Sequence, residues 1–286
     1  MKSRSLATLL AALAVPALAG PGTAAAQEVG PLTYGVPTPP AVSYVVADTT
    51  VMTMEGTPLG DMTMTMIMQM RLDLDFAEDP DGVRVTGVIT IEHATMSNDM
   101  MGDMSMGDEL GEQTIEFVMN ERGVIQAVTI PELAGLTGID LGPSNDLTAG
   151  LFPKWPARAI RPGDTWADTL EVTPDMVLDE LGASMEGTTV TINSYTLEGD
   201  TGGDADEILR IAVEGMTVAD IAIDADGEQV TGNLATSVSG FHLWDADRSL
   251  VLETMTVTDI DGSTFIPGLG AVAITAVQTH HMRLIN

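Results

Sequence analysis

The sequence predicts an all-β protein of long antiparallel strands, curled into an open barrel or half-barrel and carrying one or two short helices. Three observations predict it. In the stretch from Met62 to Phe76, every even position is Met, Leu or Phe, while the odd positions are polar apart from Ile67. That is the period of a strand with one buried face. At about 3.3 Å per residue such a strand reaches roughly 50 Å, so it must bend to stay within a domain. The second observation is the turn signal Asp79-Pro80-Asp81-Gly82, followed by renewed alternation through Ile91. The third is a further series of alternating runs from Thr165 to the C-terminus, separated by Gly- and Asp-rich turns.

Residues 1–26 have the layout of a secretory signal peptide: Lys2 and Arg4, then an apolar run from Leu6 to Ala19, then small residues up to Ala26. Residues 27–41 form an extended, proline-rich lead-in, and 42–286 a single β domain. That domain divides into 42–130 and 164–286, joined by a crossover at 131–163. Val42 to Thr53 reads as the first strand and the methionine strand follows. If Phe76 faces Val83 across the turn, Leu74 meets Val85, Met70 meets Ile89 and Asp75 meets Arg84, so both faces match. From Met96 to Gln113 the alternation fails and a loop of Met, Asp and Gly is expected. Thr114 to Asn120 and Val124 to Ile130 form the next hairpin. The crossover holds a helical turn opened by Ser144 or Asn145. Thr173-Pro174-Asp175 supplies an N-cap, a proline at the first helical position and an acid in the first turn, which predicts a helix from Pro174 to Leu181. Strands follow at Thr188 to Leu197, Glu207 to Glu214, Met216 to Ile223, Val230 to Trp244, Ser249 to Thr258 and Ala271 to Ile285.

The chain has 286 residues, 44% of them hydrophobic, enough to build a substantial core. Its 42 acidic residues face 11 basic ones, a net charge of −31; without Lys2 and Arg4 the balance is 42 against 9, or −33. Such a surface disfavours nucleic acid and anionic membranes as partners. It suits a protein from salty water, where screening relieves self-repulsion. With no cysteine there is no disulfide framework and no thiol to carry a lipid. No later stretch is long and apolar enough for a transmembrane helix. The expected mature product is soluble, secreted or periplasmic.

Three groups of residues invite a chemical reading. The methionine ladder is accounted for by core filling, since thioethers occupy irregular gaps; the sharper account is a soft apolar wall for a ligand such as a lipid, formed by Met64, Met66, Met68, Met70, Leu72 and Ile89. His93 and the loop after it, with Met96, Met100, Met101, Met104 and Met106 among aspartates, form a donor set that suits Cu(I). A mobile polar hairpin tip is its plainer account. The four histidines suit structural or surface roles, and His280 and His281 fall on opposite faces of a strand. The Asp-Gly turns lack the ligand ladder of a calcium loop. Asp200-Thr201-Gly202 matches the tripeptide of aspartic proteases but has neither its apolar flanks nor a second copy. Ser239-Gly240 lacks the preceding glycine of a nucleophile elbow. No catalytic residue is assigned, and a protein without enzymatic activity is expected.

The segment Phe152-Pro153-Lys154-Trp155-Pro156, followed by Arg161-Pro162-Gly163-Asp164-Thr165-Trp166, resembles uncharacterised secreted bacterial families that share a Pro-Gly-Asp-Thr-Trp motif. Those families are loosely similar to the lipoprotein-carrier proteins of the LolA and LppX type, and the resemblance implies an open half-barrel that holds acyl chains. The function expected is therefore carriage of an apolar ligand in a Met-lined interior. The alternatives are Cu(I) buffering by the 96–106 loop and a structural role without ligand.

Overall fold

The computed structural model describes residues 29–57, 60–98, 102–105, 112–129, 152–172, 175–178, 183–201, 207–225, 228–266 and 270–286. The signal peptide, the helical turn at Ser144 or Asn145, and Met100, Met101 and Met106 lie outside them.

Thirteen strands are joined in one antiparallel sheet: β1 Ala41–Glu55, β2 Met62–Asp79, β3 Gly82–Asn98, β4 Gly102–Ser105, β5 Glu112–Met119, β6 Ile125–Thr129, β7 Thr165–Val172, β8 Asp175–Leu178, β9 Ala183–Asp200, β10 Ile208–Ala225, β11 Glu228–Asp245, β12 Leu250–Ile266 and β13 Gly270–Leu284. Their order is β6-β5-β3-β2-β1-β13-β12-β11-β10-β9-β7, with β4 on β3 and β8 on β9. The first and last long strands are neighbours in the middle, and the sheet does not close.

Both ends of the sheet bend toward one plug of aromatic rings. Laid flat, β5 and β7 would stand about 43 Å apart at the usual spacing. Yet Phe117 of β5 reaches Trp166 of β7 through Phe152, Tyr34 and Trp155 in four ring-to-ring steps of 5.7 to 6.2 Å. The sheet is therefore strongly curved at this end. The bulges at Gln69/Met70, Leu243/Trp244 and Arg210/Ile211 fall where the strands enter it, and a bulge adds bend and twist where it sits.

The plug comes from outside the strands. Val29 and Ile160 exchange backbone hydrogen bonds, which holds the lead-in against the segment before β7. Tyr34 donates its buried hydroxyl to the Pro153 carbonyl at 2.9 Å. Around these residues the inner face is closed by Leu72, Leu74, Phe76, Tyr44, Trp244 and Ile211, all buried.

Four expectations need correction. No helix forms at Pro174 to Leu181 among the described residues: Asp175–Leu178 is a strand paired with Ala183 to Glu186 of β9. A helix so short has little stability of its own, whereas the sheet edge offers a ready ladder. The β2–β3 register is shifted by two residues from the one expected, with Phe76 opposite Val85 instead of Val83, Leu72 opposite Ile89, and Asp75 opposite Thr86 instead of Arg84. Asp79 pairs directly with Gly82, which leaves only Pro80 and Asp81 in the turn; the two-residue shift keeps every side chain on its expected face. The loop placed at Met96 to Gln113 is in part sheet, because β3 continues to Asn98 and turns back as β4. Finally, the two strands drawn on either side of Gly215 are one, β10. Gly215 passes so close to Asn193 that an added Cβ would lie 2.4 Å from its Oδ1, and this contact favours glycine without breaking the ladder.

Candidate functional site

Residues directly opposite one another on paired strands share a face, so the register fixes which side chains lie together. On the inner face β1 contributes Met52 and Met54, β2 contributes Met62, Met64, Met66, Met68 and Met70, β3 contributes Met96 and β4 contributes Met104. That is nine of the chain's 19 methionines on four adjacent strands. Met54 faces Met62, Met52 faces Met64, and Met66, Met96 and Met104 form one row.

The face is graded along the strands. Leu72, 3% exposed, belongs to the closed core, and Met70 and Ile89 are packed against it. Met62, Met64, Met66 and Met68 stay half-buried, and Met104 is 40% exposed. Beyond the plug the curved sheet thus presents an open trough with a thioether wall. Of the six residues expected to line a ligand site, Met64, Met66 and Met68 are half-buried along the open part of the face, while Leu72, Met70 and Ile89 join it to the core. The alternation of Val51-Met52-Thr53-Met54 was the signal that could have added Met52 and Met54.

The floor of the trough is polar. Across β2, β1, β13 and β12 one row runs Met68, Asp48, His280, Thr256. Asp48 is buried, and His280 Nδ1 lies 2.8 Å from its Oδ1. The next row toward the plug holds Val46, Met282, Thr254 and His242. His242 is buried with Nδ1 2.9 Å from Thr254 Oγ1, and desolvation, followed by the nearby His280, lowers its pKa to about 4. On the far wall the Thr191 and Thr217 hydroxyls lie 3.0 Å apart.

The residues expected to bind Cu(I) are not all brought together. His93 is exposed opposite Gln69 on the outer face, on the other side of the sheet from Met96 and Met104. The soft donors that remain side by side are Met66, Met96 and Met104. Among the described residues no group of three His, Asp or Glu is arranged to hold a metal ion. His281 also faces outward, with Nε2 2.8 Å from Glu253 Oε1. On that outer face β1, β12 and β13 leave a shallow hollow of about 320 Å³ between Val51, Thr53, Asp259, Asp261, Thr275 and Val277, which shares no residue with the methionine wall.

Among the described residues no helix is long and apolar enough to cross a membrane. No protein-family model matches the chain, and no curated protein matches it. Among solved structures the chain is similar to DynF from the dynemicin biosynthesis pathway of Micromonospora chersina, at 8% identity over 91% of this chain and 86% of that one, with a TM-score of 0.23. A likeness of that degree carries no argument about function.

Proposed function

We propose that this protein is a non-catalytic carrier of an apolar, lipid-like ligand, held on the methionine wall of the trough, and that it works in the cell envelope or outside the cell. One observation carries the reading: nine methionines lie on one face of four adjacent strands, and those beyond the plug are half-buried or exposed. Apolar area left in water costs about 25 cal/mol per Å², so a chain laid along this wall is stabilised in proportion to the area it covers. Unbranched, polarizable side chains adapt to ligands of varying shape, as a carrier requires. The secretory layout of residues 1–26 supports the location.

The reading is tested on mature protein purified from its native host. Organic extraction followed by mass spectrometry should release about one lipid per chain. A fluorescent fatty-chain probe should bind wild type at least tenfold more tightly than a Met64→Ser/Met66→Ser/Met68→Ser variant of unchanged Tm. Absence of both lipid and probe binding in folded protein would exclude carriage. The row Met66, Met96 and Met104 favours a second reading, a thioether site for Cu(I). Its mark is a Cu(I) affinity that falls in Met96→Leu and is unchanged in His93→Ala.

A further inference from the structure

The pair of buried Asp48 and half-buried His280 has a property that the methionine wall does not explain. Among the described residues, His280 Nε2 is shut off from water and has no hydrogen-bond partner. A buried polar atom left unpaired is costly and uncommon in a native structure. The same is true of Trp155 Nε1, but that atom belongs to the plug. His280 stands where the polar floor meets the trough, and its side chain is 22% exposed, so the ring borders the open face.

We propose that His280 reads the polar end of the carried ligand, and that this end is a hydroxyl: the ligand is a lipid alcohol and not a fatty acid. This inference rests on the carrier reading. The Asp48 carboxylate is an acceptor, so the proton of the 2.8 Å contact sits on His280 Nδ1. In the neutral ring Nε2 then holds a lone pair, which needs a donor. A lipid hydroxyl supplies one. A fatty-acid carboxylate is itself an acceptor, and it would bring a second negative charge to Asp48 in a protein that already carries a large acidic excess. Met68, opposite Asp48, and Thr256, opposite His280, are the side chains beside the pair in its row. The unbranched thioether can turn aside to admit the head while the chain lies along the wall.

The test uses full-length mature protein at pH 8. The ligands are 1-dodecanol, dodecyl methyl ether and dodecanoate, each competing with the fluorescent probe. The alcohol should bind about tenfold more tightly than the ether, which has the oxygen but no donor, and dodecanoate should bind most weakly. His280→Leu should bring alcohol and ether within twofold of each other. Equal binding of alcohol and ether to wild type would overturn the inference and leave carriage standing. That comparison needs no variant to fold. Failure of every ligand and of the probe would instead remove the carrier reading itself.

Discussion

His242 is held neutral by its surroundings, and this makes it a source of acid sensitivity. Its ring is buried beside Thr254, and its pKa of about 4 lies below the unfolded value near 6.5. Between those values the unfolded chain binds a proton that the folded chain refuses, so stability rises with pH across the window. The contribution is fully present above pH 6.5 and lost as pH falls to 4, at a cost of up to about 3 kcal/mol. Urea unfolding at pH 7 and pH 4.5 should therefore show a drop in wild type that is much smaller in His242→Phe. Equal drops would exclude His242 as the cause. Asp73 adds nothing in this window: its carboxylate is stabilised first by the Ser43 hydroxyl and then by Arg71, and that support is lost only as pH falls through the lowered pKa, below the usual carboxylate range. The sequence marks the histidines as structural or surface residues without separating the four. The pairing that buries His242 and sets His280 against Asp48 depends on β11, β12, β13 and β1 coming together across most of the chain. No local pattern carries that information.

At the scale of the element, the β2–β3 hairpin shows what periodicity can and cannot specify. Alternation assigns each residue a face, and a two-residue slip preserves every assignment, so the methionine wall was legible while the partners of Phe76 and Asp75 were not. The register is set at the turn, and there Gly82 is decisive. Its φ is +144°, and an added Cβ would lie 2.2 Å from the Met119 carbonyl oxygen of β5. The strain has no flexible side chain to absorb it. Gly82→Ala should destabilise the protein by roughly 3 kcal/mol, because backbone strain and overpacking add. Gly60→Ala, at φ +93° with open space around it, should cost only about 1 kcal/mol. Urea midpoints of the two variants check this, and equal costs would mean that the approach of β5 does not constrain the turn. The mistaken helix at Pro174 has the same lesson in reverse: its capping residues are local signals, and an unpaired length of β9 outweighed them.

The whole molecule combines a plug-closed end, an open trough and a large uncompensated negative charge. The motif at 152–166 was legible as unusual, and the structure gives it a mechanical place. Phe152 and Trp155 fill the plug, while Trp166 donates Nε1–H to the Lys154 carbonyl at 2.7 Å and stacks on Tyr195. The trough was legible only as one long apolar face, because its depth depends on how far an open sheet curls. Charge acts on that curl. Arg84 bridges Asp79 and Glu116, Arg210 holds Glu198 at 2.6 Å, and Arg158 holds Asp164 at 2.7 Å, so these three surface arginines are engaged in pairs. Exposed pairs of this kind contribute at most about 1 kcal/mol each, and salt weakens them. The repulsion among the remaining carboxylates is more widespread, with 42 acidic residues against 11 basic ones in the whole chain. Raising chloride salt from 0.05 to 1 M shortens the screening length from over 10 Å to about 3 Å, which removes repulsion between carboxylates on neighbouring strands. If repulsion outweighs the pairs, stability should rise by about 2 kcal/mol and Tm by about 5 °C. Most of the gain should come below roughly 0.5 M, where screening changes fastest. An excluded-solute effect would instead keep growing at higher concentration. A Tm that falls with salt would mean that the ion pairs hold the open sheet together, and Arg84→Gln should then lower Tm at 0.05 M far more than at 1 M.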